Sequence, residues 1–294
     1  MNTILLTGGN GFIGKNIKES FLKDKYHILA PSSKELNTAD TDQVDAFFEN
    51  NKIDFVIHAA AKPGHRNAKD HADLLYTNSR MFFNLARHAD KYKKMLNIGS
   101  GAIYDMRYYE PKMKETYFGT HIPTDEHGYN KYICGKYIES TENIIDLRIF
   151  GIFGKYEEYA IRFISNAICK TLYNLPITLR QDRKFDYLYI ADLLPILDYF
   201  LQNKMAYKAY NITPNQSISL LHIAEIIQNM SGNANEIQVG TPGMGLEYSG
   251  NNDRLQKEMK EVQFTPIHQA IKELFEWYHN QQNTIQLESL LVDK

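Results

Sequence analysis

Residues 7–14 constrain this chain more than any others. They read Thr7-Gly8-Gly9-Asn10-Gly11-Phe12-Ile13-Gly14, after the apolar run Ile4-Leu5-Leu6. Gly9, Gly11 and Gly14 satisfy the G-x-G-x-x-G spacing, and Gly8, Gly11 and Gly14 a wider G-x-x-G-x-x-G. Glycine is needed there for three reasons. It permits the tight strand-to-helix turn, it lets a pyrophosphate approach bare backbone, and it lets helix and strand pack closely. The helix N-terminus, with Phe12 and Ile13 in the loop just before it, then faces the negative phosphates. A glycine-rich turn alone would be weak evidence. Its position at the start of a strand–helix–strand pattern makes it a dinucleotide cradle.

That pattern continues down the chain. Short apolar runs at 3–6, 27–30, 55–58, 95–98 and 144–150 alternate with amphipathic stretches at 14–22, 42–50, 74–92 and 128–142. Strands alternating with helices predict an α/β fold, a doubly wound parallel sheet of the Rossmann type. The second half predicts a smaller C-terminal α/β substrate lobe. There, helices are expected at 160–173, 192–201 (capped by Asp192), 219–231 (capped by Ser219) and 266–279. Strand-like runs are expected at 186–190 and 209–212, a glycine-rich loop at 240–250, and a mobile polar tail after Asn280. Residues 1–153 then form the dinucleotide domain, with 185–213 returning to it, and 154–184 with 214–294 form the lobe. Ligands belong at the carboxyl ends of the strands.

Bulk properties exclude several classes of function. A formal net charge of −2 gives no basic field for nucleic acid. No apolar run nears the roughly 20 residues of a membrane span, and no leader precedes the first strand. Two cysteines, Cys134 and Cys169, are too few for a disulfide framework and point to a reducing cytoplasm. Cys134 reads as a packing residue. His58, His65 and His71 lack metal-site spacing, so no metal is expected.

The second strand should end in an acid if the adenosine ribose of NAD is to be held by its hydroxyls. Here it ends Leu29-Ala30-Pro31-Ser32-Ser33-Lys34. Ser32, Ser33 and Lys34 suit a 2′-phosphate, which favours NADP over NAD.

Tyr132 and Lys136 stand four residues apart on an expected helix, so both project from one face. The lysine's charge favours the phenolate and makes the phenol a usable proton donor and acceptor. Tyr108 and Lys112 share the spacing, but Pro111 opposes a helix there. Ser100, at the end of the fourth strand, can hydrogen-bond a substrate oxygen. The expected catalytic trio is therefore Ser100, Tyr132 and Lys136.

With these motifs in place, the chain resembles the extended short-chain dehydrogenase/reductase family that acts on nucleotide sugars, the NAD-dependent epimerase/dehydratase family. The likeness spans nearly the whole length. It rests on the glycine loop, His58-Ala59-Ala60-Ala61, Asn78 in Tyr76-Thr77-Asn78, Ser100 with Ile103-Tyr104, and Tyr132, Lys136 and Glu139. Arg148 to Gly154 and Phe185 to Asp192 extend it. Glu35-Leu36-Asn37, Asp45-Ala46-Phe47-Phe48 and Ile53-Asp54 are most similar to GDP-fucose synthases and 4-keto-6-deoxyhexose reductases.

The resemblance implies that Ala59, Ala60 and Ala61 line the adenosine path with Asn78, and that backbone at Ile149 meets the nicotinamide amide. Arg183 and Arg254 are its candidates for the diphosphate. The dehydratases' Asp-Glu pair is absent, since Gly101-Ala102 stands there. Ala102 also replaces the cysteine of GDP-fucose synthases, and Gly151 an asparagine of many C4 epimerases. Both positions are expected beside the substrate. The activity implied is NADPH-dependent reduction of a nucleotide-linked 4-keto-6-deoxyhexose. A C4 epimerase with bound NAD and a non-enzymatic dinucleotide-sensing regulator are the alternatives. Helices near 73–89 and 129–138 are expected to pair with their copies in a homodimer.

Overall fold

The computed structural model describes residues 1–64, 72–232 and 235–291. In chain order the first half forms β1 (Asn2–Thr7), α1 (Phe12–Glu19), α2 (Leu22–Lys25), β2 (Tyr26–Leu29), α3 (Thr41–Asn50), β3 (Phe55–His58), α4 (Leu74–Ala86), β4 (Lys94–Ser100), α5 (Glu126–Glu139) and β5 (Ile144–Ile149). The second half forms β6 (Gly151–Phe153), α6 (Phe163–Leu172), β7 (Ile177–Asp182), β8 (Lys184–Phe185), β9 (Tyr187–Tyr189), α7 (Ile190–Gln202) and β10 (Ala209–Ile212). It closes with β11 (Ile218–Ser219), α8 (Leu220–Ser231), β12 (Ile237–Met244), α9 (Asp253–Glu258), α10 (Ile267–Asn280) and α11 (Leu287–Leu290).

Six strands make one parallel sheet in the order β2-β1-β3-β4-β5-β10. The strands are apolar on both faces because both faces are covered. Ile4, Leu6, Ile57, Leu96 and Leu147 fill one side with Leu193, Leu197 and Phe200 of α7. Leu5, Val56, Met95 and Ile144 fill the other with Val44, Phe82, Leu85 and Ile138 from α3, α4 and α5. Each such fully buried aliphatic side chain contributes about 1.5–3 kcal/mol. The register aligns Thr7 with His58, His58 with Asn97, and Ser100 with Ile149. Their carboxyl ends therefore lie along one edge. The direction of winding reverses between β1 and β3, which opens the crevice for a ligand at that edge.

The second half differs from its sequence reading in three places. Residues 240–250 are not all loop, because β12 pairs in parallel with β7, Ile237 opposite Ile177. β12 is exposed along most of its length, so backbone pairing rather than an apolar alternation makes it a strand. Asp192 does not cap α7, whose N-cap is Tyr189. The Asp192 carboxylate instead accepts from the backbone N–H and the hydroxyl of Thr265 (3.0 and 2.6 Å). The segment after Asn280 packs through buried Ile285 and Leu290 rather than trailing away. In the first half, α4 stops at Ala86 instead of running to Tyr92, whose hydroxyl donates back to the Leu85 carbonyl (3.2 Å). Ser219 does cap α8, accepting from His222 N–H (3.1 Å). Among the described residues, no helix is long and apolar enough to cross a membrane.

Candidate active site

The glycine loop closes over the end of β3. Gly8 has φ +72°, and a Cβ there would lie 2.7 Å from Ala60 N and 2.8 Å from the Ala59 carbonyl oxygen. A Cβ on Gly14 would lie 2.2 Å from the Gly8 carbonyl oxygen. Side chains at these positions would push strand, loop and helix apart. The Gly11 N–H donates to the Gly8 carbonyl (2.9 Å), tightening the turn. Phe12 and Ile13 are half-buried and anchor α1 on the core. Thr7 Oγ1 accepts from Ala60 N–H (3.2 Å) and pairs with His58 Nδ1 (2.8 Å). The bare backbone of this cradle fits a pyrophosphate. Ala61 is exposed at the mouth. Asn78 is buried, and both ends of its amide are spent on Lys62 backbone (2.7 and 3.1 Å). It therefore shapes the loop after β3 rather than offering its amide to a cofactor.

At the end of β2, Ser33 and Lys34 are exposed. No acid ends the strand itself, but the turn after it folds one back. The Glu35 carboxylate accepts from Ser32 N–H (2.7 Å), and this bond holds its carboxyl below the usual range.

The expected trio does not converge. The Tyr132 ring lies 5.3 Å from Phe118, beside the cluster of Ile103, Tyr104 and Met113. Lys136 Nζ stands 5.9 Å from the Tyr132 ring, 4.6 Å from the Phe118 ring, and pairs with Glu139 (3.0 Å). The spacing correctly puts the pair on one helix face, but that face meets the 115–118 segment and solvent. Ser100 is placed as expected at the carboxyl end of β4. Its Oγ accepts from Ala102 N–H (3.1 Å) and hydrogen-bonds the Tyr248 hydroxyl.

The lysine that meets the sheet edge is Lys131. Its Nζ donates to the Ile98 carbonyl (3.2 Å), two residues before Ser100. Its charge also reaches His58 at the end of β3. Burial, and then Lys131, hold the His58 imidazole down at about 3. One turn earlier on α5 stands His127, half-buried in the first turn after the N-cap Asp125, which accepts from Gly128 N–H (2.8 Å). The sequence carried a signal for this frame. Residues 130, 134 and 138 are the buried stripe of α5, and Lys131 adjoins it. A lysine there must find a polar partner at depth.

The proposed substrate residues separate. Ala102 adjoins Ser100, and its carbonyl oxygen would lie 2.7 Å from a Cβ on Gly128. Gly151 leaves no room for a side chain, because a Cβ there would lie 2.5 Å from the Asp186 carbonyl. Arg254 is committed elsewhere. It donates to the Ala209 carbonyl (3.2 Å), stacks 4.4 Å from the Tyr207 ring centre and faces buried Glu115. Arg183 lines a cavity of about 560 Å³ together with Arg180, Gln181 and Thr241. Ile149 ends β5 between Ser100 and Ile212. Lys112 and Asp186, a buried-carboxylate pair at 2.9 Å, went unread. Cys134 is buried in the core, as expected of a packing residue. No cluster of potential metal ligands occurs among the described residues; His65 and His71 lie outside them.

Known proteins resemble this chain in sequence and in fold. The model of the NAD dependent epimerase/dehydratase family matches residues 4–213. GDP-L-colitose synthase of Yersinia pseudotuberculosis is 24% identical over 254 residues, covering 78% of this chain and 82% of that protein. A GDP-L-fucose synthetase from Naegleria fowleri superposes with a TM-score of 0.80 at 19% identity, over 97% of this chain and 94% of its own. GDP-mannoheptose C4 reductase from Campylobacter jejuni, solved with NADP bound, also gives 0.80 at 18% identity, over 94% and 98%.

Proposed function

Because the chain belongs to the NAD dependent epimerase/dehydratase family, we propose that it reduces a nucleotide-linked 4-keto-6-deoxyhexose with NADPH. The observation that carries this is the meeting of the glycine cradle, Ser100 and Lys131 along one carboxyl edge of the sheet. Similarity to a GDP-L-colitose synthase along four fifths of that protein supports the substrate class. Bound NADPH supplies a hydride to the ketone carbon. Ser100 turns its hydroxyl to the ketone oxygen and orients it. Lys131 holds a ribose hydroxyl with its ammonium group. Ser33 and Lys34 take the 2′-phosphate, and Arg183 with Arg180 takes the sugar's diphosphate. Ala102 carries no ionisable group, so protons at C3 and C5 stay in place. Tyr76, Tyr129 and Tyr137 leave α4 and α5 an exposed aromatic band, and we assign it to a homodimer contact of these helices with their copies. Sedimentation as a monomer at micromolar concentration would remove that assignment.

The test mixes purified chain with NADPH and a nucleotide-linked 4-keto-6-deoxyhexose in heavy water. Nicotinamide absorbance should fall, giving one 6-deoxyhexose product without deuterium at C3 or C5. Interconversion of saturated nucleotide hexoses with no added cofactor would instead make the chain a C4 epimerase.

A further inference from the structure

We infer that His127, not a tyrosine, delivers the proton to the substrate oxygen; this rests on the proposed reductive function. A ketone reduced to an alcohol needs a proton donor beside the hydride acceptor. On α5 that donor must share the face of Lys131, which meets the sheet edge, and lie closer to the helix start. Four residues back is one helical turn, about 6 Å along the axis, and His127 stands there.

Its surroundings are those of the reacting end. The His127 Cβ is 3.1 Å from where a Cβ of Gly64 would sit, on the loop that follows β3 and the Ala59-Ala60 path. The next residue, Gly128, is pressed against the Ala102 carbonyl, and Ala102 N–H is bonded to Ser100. The helix start that carries the imidazole thus lies between the loop after β3 and the Ser100 turn. Tyr132 lies on another face against Phe118. The Tyr248 hydroxyl does reach Ser100, but its burial pushes the phenol's proton affinity up, and a phenol so buried parts with its proton poorly.

The chemistry balances without a further reagent. The ketone carbon gains the hydride from the nicotinamide. The C=O π pair moves to oxygen, and oxygen takes the imidazolium N–H proton. Neutral imidazole then recovers a proton from solvent. A free imidazole titrates near 6.5 and a free phenol near 10 (both approximate), so an imidazolium is by its chemistry the stronger acid of the two. The charged groups nearest it on its own helix are Asp125 and Glu126 at the helix start and Lys131 one turn on; Lys62 stands two residues before Gly64 on the facing loop, and the Tyr248 hydroxyl bonds Ser100.

The experiment uses the full chain with the substrate above, and compares His127→Ala, His127→Tyr and Tyr132→Phe. His127→Ala should lower kcat roughly 10²–10⁴-fold, the usual size of general acid catalysis, while NADPH binding by fluorescence changes little. Added imidazole should restore part of that turnover. His127→Tyr should keep activity and shift the alkaline fall of kcat upward in pH. Tyr132→Phe should stay near wild type. Wild-type kcat in His127→Ala, or loss of turnover in Tyr248→Phe or Tyr132→Phe instead, overturns the assignment. If the wild-type chain does not turn over this substrate, the proposed function fails. The assignment is then decided by the His127 imidazole resonance, which must shift when NADP⁺ binds; no shift overturns it.

Discussion

Helix α5 carries two lysines, each with a potential proton donor four residues earlier, and the fold uses them in opposite ways. His127 and Lys131 face the sheet edge, where Lys131 reaches the Ile98 carbonyl and its charge is felt by His58. Tyr132 and Lys136 face Phe118 and solvent, and Lys136 is satisfied by Glu139. Both pairs obey the same i, i+4 rule. The difference teaches that spacing determines only that two side chains share a face. Helix phase decides what that face meets.

The largest effect that would break this comparison is catalytic. Lys131→Ala should lower kcat/KM roughly 10- to 100-fold, since the charge-assisted hydrogen bond that holds the ribose hydroxyl is lost. Lys136→Ala should change it by less than about threefold, because an exposed ion pair contributes little. Reversed outcomes in steady-state assays would restore Tyr132 and Lys136 to the site.

A second, smaller effect sharpens the comparison through His58. Its imidazole is depressed to about 3 in the folded chain, by burial first and Lys131 second. The unfolded chain binds that proton near 6.5, so the neutral histidine's contribution is complete above that pH. It is lost as pH falls from about 6.5 through about 3. Lys131→Met removes the charge, so the folded His58 should titrate at higher pH by NMR. The acid-induced loss of stability should then shrink. Lys136→Met should leave the His58 titration where it was. An unmoved His58 in Lys131→Met would show that Lys131 does not face the sheet edge.

The smallest effect concerns the far end of the dinucleotide cradle. The Glu35 carboxylate sits on the Ser32 amide, beside the proposed 2′-phosphate position. Glu35→Gln should raise the preference for NADPH over NADH by roughly two- to fivefold, the scale of an exposed charge interaction. An unchanged ratio in paired titrations would place the phosphate elsewhere.

Much of this was legible in the residues. The glycine spacing, the apolar runs and their alternation with helices anticipate the parallel sheet, and Ser100 at the end of β4 follows from that order. β7 and β12 were not legible, because β12 is exposed and its order comes from pairing with β7. Arg254 looked like a phosphate ligand because a guanidinium suits one. Only folding brings the Ala209 carbonyl, Tyr207 and Glu115 around it. Gly151 looked like a lost side chain in a ligand site, yet the Asp186 carbonyl leaves no room for one.

By itself, then, the sequence determined the dinucleotide loop, the strand–helix alternation and the presence of lysines one turn from a proton donor. Those are local properties, set by glycine's conformational freedom and by helix and strand periodicity. The tertiary structure alone decided which of two equally spaced pairs meets the sheet edge. It did so by fixing where α5 begins, at Asp125, and by pressing Gly128 onto the Ala102 carbonyl. Successive positions on a helix are rotated by about 100°, with 3.6 residues per turn. A shift of five residues therefore turns a face well over 100° away from the sheet, and no count of spacings within the helix can reveal it.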